Sequence, residues 1–233
     1  MQPSADTQHG AAGFIPGDRP FPAPLMFDYG ALAATPVADA PFRHVVVPDF
    51  LPPEALARVY AELPRLDRGG SFPPEALRLG PAARAMLREL EGAVLKDAIA
   101  QKFGLDLADA PSMVTMRLAT REKDGKIHTD SDAKRLTALL YLNPSNPQFD
   151  QAEGCLRLLR GGADLDDYAV EVPPTRGTLL VFPNGPGTWH GHRTYVGPRH
   201  SVQLNYMTND GRARSELRRH KLSALVKRLT LLN

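Results

Sequence analysis

Apolar residues recur along this chain with two different periods, helical in its first half and alternating after about position 111. From Met1 to about position 40 neither period holds. That stretch is rich in Pro, Gly and Ala and reads as an extended or poorly ordered lead-in. His44-Val45-Val46-Val47 is a β-branched run that predicts a strand, and Pro52-Pro53-Glu54 then opens a helix with Leu56, Val59, Tyr60 and Leu63 at helical spacing. A second helical segment begins near Pro81, carries Leu87, Leu90 and Val94 on one face with Leu95 and Ile99 beside them, and stops at Gly104. After Pro111 the runs become short and β-rich, over 113–119, 136–143, 155–160, 177–182 and 201–207, with Gly, Pro, Asn and Asp clusters between them. Helices followed by such runs predict an α+β, mainly β chain with a jelly-roll or barrel-like core. No fixed-period repeat argues for a solenoid or propeller.

The final stretch, 211–233, sets Arg212, Arg214, Arg218, Arg219, Lys221, Lys227 and Arg228 around Leu222, Leu225, Val226 and Leu229 at helical spacing. It predicts a basic amphipathic C-terminal helix whose apolar stripe packs on the domain or on a second copy of the chain, as in a homodimer. Elsewhere the composition is ordinary for a globular chain: 42% hydrophobic and 23% charged residues, with a net charge of +2 that exerts no global pull on nucleic acid or anionic membrane. A single cysteine, Cys155, cannot close an intramolecular disulfide and reads as a small core residue. The N-terminus has no basic stretch followed by an apolar run, and no stretch is long and apolar enough to span a bilayer. These features predict a cytoplasmic protein that is neither exported nor inserted in a membrane.

Candidate chemistry begins at His128-Thr129-Asp130. In an extended segment residues two apart share a face, so the imidazole and the carboxylate can converge on one metal ion. Taken alone the pair is an ordinary loop sequence. A third ligand comes from the buried-strand pattern Gly177-Thr178-Leu179-Leu180-Val181-Phe182-Pro183, which runs through a turn at Asn184-Gly185-Pro186-Gly187 to Trp189-His190. Two histidines and one carboxylate form the facial triad of non-haem iron(II) oxygenases, which leaves positions free for a bidentate 2-oxo acid and dioxygen. His192 is the rival for the third place, and Trp189 together with the spacing to Arg199 favours His190. From Arg199 to Tyr206 the residues alternate, so Val202, Leu204 and Tyr206 share one face while Arg199, Ser201, Gln203 and Asn205 share the other. Arg199 and Ser201 can therefore meet one carboxylate, the guanidinium through two parallel hydrogen bonds. The same alternation puts Thr137, Leu139 and Tyr141 together, which brings the Tyr141 hydroxyl within reach of that carboxylate. Taken alone, Arg199 could instead pair with a structural carboxylate such as Asp132 or Glu153, and Tyr141 could be a strand-packing aromatic.

These pieces, in this order, resemble the prolyl-hydroxylase-like branch of the iron(II)/2-oxoglutarate dioxygenases: HTD at 128–130, LTALLYLN at 136–143, GCLRLL at 154–159, GTLLVFP at 177–183, WHGH at 189–192 and GPRHSVQLNYM at 197–207. The resemblance implies a double-stranded β-helix supported by N-terminal helices, with the dioxygenase domain over 41–210. It implies iron(II) on His128, Asp130 and His190, with 2-oxoglutarate on Arg199 and Tyr141. Dioxygen would be consumed, ascorbate would be an accessory reductant, and a substrate would be hydroxylated with release of succinate and CO2. Where animal oxygen-sensing members carry a tyrosine ahead of the first ligand this chain has Leu118, and the loop from Asp130 to Leu136 is short, so peptidyl-proline specificity does not transfer. Peptidyl proline, a free amino acid, a sugar and a small metabolite all stay open as substrates, and Lys134, Arg135 and Arg157 are expected near the mouth. The competing class is a non-catalytic, cupin-like metal- or ligand-binding protein. Nucleobase demethylation ranks lower, because relatives of that kind carry a second arginine where this chain has Asn205.

Overall fold

The computed structural model describes residues 25–66, 69–150 and 153–231. Of the expected lead-in, the part before residue 25 lies outside the described residues, and the rest departs from the expectation. Helix α1 (Tyr29–Ala34) forms there because the Asp28 side chain accepts a hydrogen bond from the Ala31 backbone N–H, and because Leu32 finds a buried seat. Strand β1 (Val45–Val47) and helix α2 (Pro53–Ala61) follow, the latter with proline in its first turn.

The single helix expected from Pro81 to Gly104 is two, α3 (Pro81–Leu90) and α4 (Ala93–Phe103). Gly92 takes extended dihedrals and acts as the new N-cap, which turns the apolar stripe: Leu95, Ile99 and Phe103 go inward, and Val94 is 50% exposed. Gly104, at φ +65°, ends α4 in the left-handed conformation that glycine adopts without a Cβ clash.

The β core has two sheets. The larger has the order β1-β6-β3-β8-β2, all antiparallel, with β2 over Ser112–Thr120, β3 over Lys134–Tyr141, β6 over Leu179–Pro183 and β8 over Gly197–Met207. The smaller has the order β5-β4-β7, over Tyr168–Val172, Leu156–Leu159 and His190–His192. Alternation gives the larger sheet two faces with different jobs. Val114, Met116, Leu118, Leu136, Ala138, Leu140, Val202, Leu204 and Tyr206 pack under Val59, Met86, Leu90, Leu95 and Ile99 of the helices in one continuous core. On the opposite face Tyr141, Leu180 and Phe182 meet Leu156, Leu158 and Val172 of the smaller sheet. Each fully buried aliphatic side chain in these layers contributes about 1.5–3 kcal/mol. The architecture is the double-stranded β-helix, mainly β with helices backing one sheet.

Helix α5 (Gly211–Leu231) docks through Ala213 and Leu217 onto Ala133 and Met207, and Glu216 accepts a hydrogen bond from Ser131 Oγ at 2.6 Å. Leu222, expected in its apolar stripe, is exposed, and the side chains of Leu225, Val226 and Leu229 lie outside those described. Among the described residues no helix is long and apolar enough to cross a membrane.

Candidate active site

A cavity of about 270 Å³ lies between the two sheets. At one end, the segment before β3 pairs with β7. His128 and His190 exchange both backbone hydrogen bonds, N–H to C=O at 3.0 Å each way, and His192 N–H donates to Gly125 C=O at 2.9 Å. A hydrogen-bonded antiparallel pair sends both side chains to the same face, and the two imidazole centroids stand 4.4 Å apart. Gly125 permits this close approach: at φ +91° a Cβ there would sit 2.5 Å from the His192 ring.

The ring nitrogens are sorted by their backbone partners. His128 Nδ1 lies 2.8 Å from the Lys126 carbonyl and His190 Nδ1 lies 2.9 Å from the Thr188 carbonyl. Each bond fixes the proton on Nδ1 and leaves Nε2 with a free lone pair, the arrangement a metal requires. Burial, reinforced by His128, pushes the His190 pKa down, so this imidazole is neutral. Two residues beyond His128 on the extended segment, Asp130 brings its carboxylate to the same place, and ligand atoms of His128, Asp130 and His190 lie within 4.8 Å of one another.

Asp130 is held on both oxygens: Lys134 Nζ donates to Oδ1 at 2.6 Å and Thr137 Oγ1 donates to Oδ2 at 2.6 Å. Burial alone would raise the carboxyl pKa. Lys134, His190 and the hydrogen bonds from Lys134 and Thr137 outweigh it and hold Asp130 below the ordinary range, ionised and fit to ligate. Thr137 is itself oriented by Asn184 Nδ2, which donates to its hydroxyl at 3.0 Å. A Thr137→Val protein, which keeps the shape and loses the hydroxyl, should bind metal about 10–100-fold more weakly. Direct titration with iron(II) or cobalt(II) under argon measures this.

The other end of the cavity holds a buried cation. Arg199 is 4% exposed and donates from Nε to the Gly154 carbonyl at 2.8 Å, but its Nη2 is buried with no hydrogen-bond partner. Its guanidinium carbon stands 5.5 Å from the centre of the Tyr141 ring. The Tyr141 hydroxyl, equally buried, also makes no hydrogen bond. Burial pushes the phenol up to about 12 against the pull of Arg199, so Tyr141 is a protonated donor. Ser201 lines the cavity beside them. Neither Asp132 nor Glu153 forms an ion pair with Arg199, and Asp132 faces Arg212 instead.

Of the other residues singled out in the sequence, His192 lines the cavity outside the triad, with Nδ1 on the Arg193 carbonyl at 2.8 Å and its pKa lowered to about 4 by burial and Arg199. His200 lies on the opposite face, against Asn143 and the Tyr60 ring. The expected basic mouth needs correction. Arg157 is on the outer face of the smaller sheet, over the Tyr168 ring and bound to Glu171 and Asp166. Lys134 is spent on Asp130, and Arg135 is not part of the lining. The cations that do line the cavity are Arg117, Lys123, Lys126 and Arg199. Arg117 was legible in principle, since the apolar face of β2 is Val114, Met116 and Leu118, and alternation turns Arg117 the other way.

Residues 116–207 match the family model described as the 2OG-Fe(II) oxygenase superfamily. Over that segment the protein is similar to the superfamily. The matched segment contains His128, Asp130 and His190 together with Tyr141, Arg199 and Ser201. A search of curated proteins found no match. Among solved structures, a prolyl-4-hydroxylase from Pseudomonas putida is similar over 80% of this chain and 98% of its own, at 24% identity and a TM-score of 0.56. A prolyl 4-hydroxylase structure from Phytophthora capsici is similar over 86% and 71%, at 14% identity and a TM-score of 0.50. The chain thus shares the fold of the prolyl 4-hydroxylases.

Proposed function

We propose that the oxygenase hydroxylates a small-molecule or peptide substrate, with iron(II) on His128 Nε2, Asp130 and His190 Nε2 and with the distal carboxylate of 2-oxoglutarate on Arg199, Tyr141 and Ser201. The observation that carries this reading is the pair of buried, partnerless donors, Arg199 Nη2 and the Tyr141 hydroxyl, in the cavity that His128 and His190 of the triad also line. A buried donor without an acceptor costs about 1–3 kcal/mol. Two of them side by side fit the two oxygens of a bound carboxylate, which would satisfy both at once.

Iron(II) and 2-oxoglutarate together with dioxygen supply the oxidising power to hydroxylate an unactivated C–H bond, the 2-oxo acid leaving as succinate and CO2. The chain's own residues set the geometry. The His128–His190 backbone pair aims both imidazoles, while Lys134 and Thr137 hold the Asp130 carboxylate between them. Leu139 and Leu156 give the cavity apolar walls that limit water. A cupin-like protein that binds metal without a co-substrate would leave Arg199 and Tyr141 uncompensated, which weighs against that reading.

The test is an anaerobic titration with iron(II) and then 2-oxoglutarate, followed through the weak visible charge-transfer band of a chelated 2-oxo acid. The band should appear stoichiometrically. Its absence in folded, iron-loaded protein would return the non-catalytic reading.

A further inference from the structure

The cavity holds one more guanidinium than the co-substrate uses. Arg117 sits on β2 directly opposite Ser201 of β8, and its side chain lines the cavity together with Arg199. It forms a long ion pair with Asp124, Arg117 Nη1 to Asp124 Oδ1 at 3.8 Å, too far for a hydrogen bond, so its donors stay open for a second anion. Asp124 is already engaged by Arg121, through the backbone N–H at 2.9 Å and through Nε and Nη2 at 3.2 Å each. Among the described residues the Arg117 guanidinium donates no hydrogen bond, although its side chain is only 38% exposed.

Two guanidinium groups facing one cavity repel each other, and each loses hydration there, so each needs an anion. Burial lowers the Arg117 pKa, Asp124 opposes that, and Arg199 and Arg121 add to it, although the group stays charged. The rest of the lining tilts the same way: Lys123 and Lys126 are cationic, and Asp124 is the one lining carboxylate outside the triad. On the reading above, both carboxylates of 2-oxoglutarate are spoken for, one on the metal and one on Arg199. Arg117 is therefore left for something else.

We infer that the substrate of this oxygenase is an acid whose carboxylate is bound by Arg117, with Lys123 and Lys126 drawing it to the opening. The planar fork of an arginine fits the two oxygens of a carboxylate, a match that an ammonium group does not offer. The position beside Ser201 seats that carboxylate next to the co-substrate, so Arg117 fixes which C–H bond faces the metal. This inference rests on the proposed assignment of Arg199.

The experiment compares the parent with Arg117→Gln, both anaerobic and loaded with iron(II) and 2-oxoglutarate. Short mono- and dicarboxylic acids and the free amino acids are titrated, each beside its carboxamide, and inorganic phosphate is a separate arm. Binding is read from the shift of the charge-transfer band and from ligand-observed NMR on zinc-substituted protein. At least one acid should bind the parent with a Kd of about 1 mM or tighter. Its carboxamide should bind about tenfold more weakly or worse, as should the acid to Arg117→Gln. The 2-oxoglutarate affinity of the variant should stay within about twofold of the parent's, which also shows that the variant is folded.

Equal binding of acid and amide, acid binding that survives Arg117→Gln, phosphate binding more tightly than every acid, or no acid bound at all would each overturn the inference. So would a large loss of 2-oxoglutarate affinity in the variant, which would assign Arg117 to the co-substrate. Absence of the band in the parent takes down the oxygenase reading itself, a failure distinct from any of these.

Discussion

Replacing His190 with alanine should weaken iron(II) binding by more than about 100-fold, since losing even an outer-sphere partner of a metal ligand costs about 10–100-fold. 2-Oxoglutarate turnover should vanish with it. The expectation follows from position: His190 is buried, neutral and oriented through Nδ1, with Nε2 facing His128 and Asp130. His192→Ala is the informative control, because His192 is close in sequence and lines the same cavity but does not join the cluster of ligand atoms. Metal titration of both variants separates the assignments. Intact binding in His190→Ala with loss in His192→Ala would transfer the third place to His192.

Arg199→Ala should retain iron and lose 2-oxoglutarate. Truncating one partner of a buried, hydrogen-bonded charge pair costs about 2–5 kcal/mol, roughly 30-fold to several thousand-fold in Kd. Anaerobic titration of the charge-transfer band measures that loss directly. Arg199→Lys should recover only part of it, since an ammonium can neutralise the carboxylate but cannot donate to the Gly154 carbonyl and to two carboxylate oxygens in one plane. Unchanged 2-oxoglutarate affinity in Arg199→Ala would remove the co-substrate assignment and leave the metal site standing.

How far the sequence discloses this site depends on which residues carry their own signal. The two faces of β8 are written in its alternation, and Val202, Leu204 and Tyr206 do pack under the helices while Arg199, Ser201 and Gln203 face the cavity. The class of fold was legible for the same reason, since the strands of the larger sheet have an apolar side that must be covered. Strand β7 was not, because His-Gly-His has neither β-branched residues nor length, and it is extended only because β4 and the 125–128 segment pair with it. The α3–α4 break was hidden because one glycine is tolerated inside a helical pattern, and only tertiary packing decides whether the axis turns there. Lys134 and Asp130 are only four residues apart, but whether their side chains meet depends on the turn between them, and the outward turn of Arg157 depends on partners on a neighbouring strand and loop, neither of which a local pattern encodes.

Arg199 is bound not to its own sheet but to the Gly154 carbonyl, in the turn that leads into the smaller sheet, while the His128–His190 pair joins the sheets at the opposite end of the cavity. On the proposed assignment, a bound diacid is stretched between these two fastenings, with one end on the metal and the other on the tethered guanidinium. The span between them acts as a ruler. On that assignment an acid one carbon shorter should grip either fastening but not both and a longer one should buckle, so binding should be tightest at the length of 2-oxoglutarate.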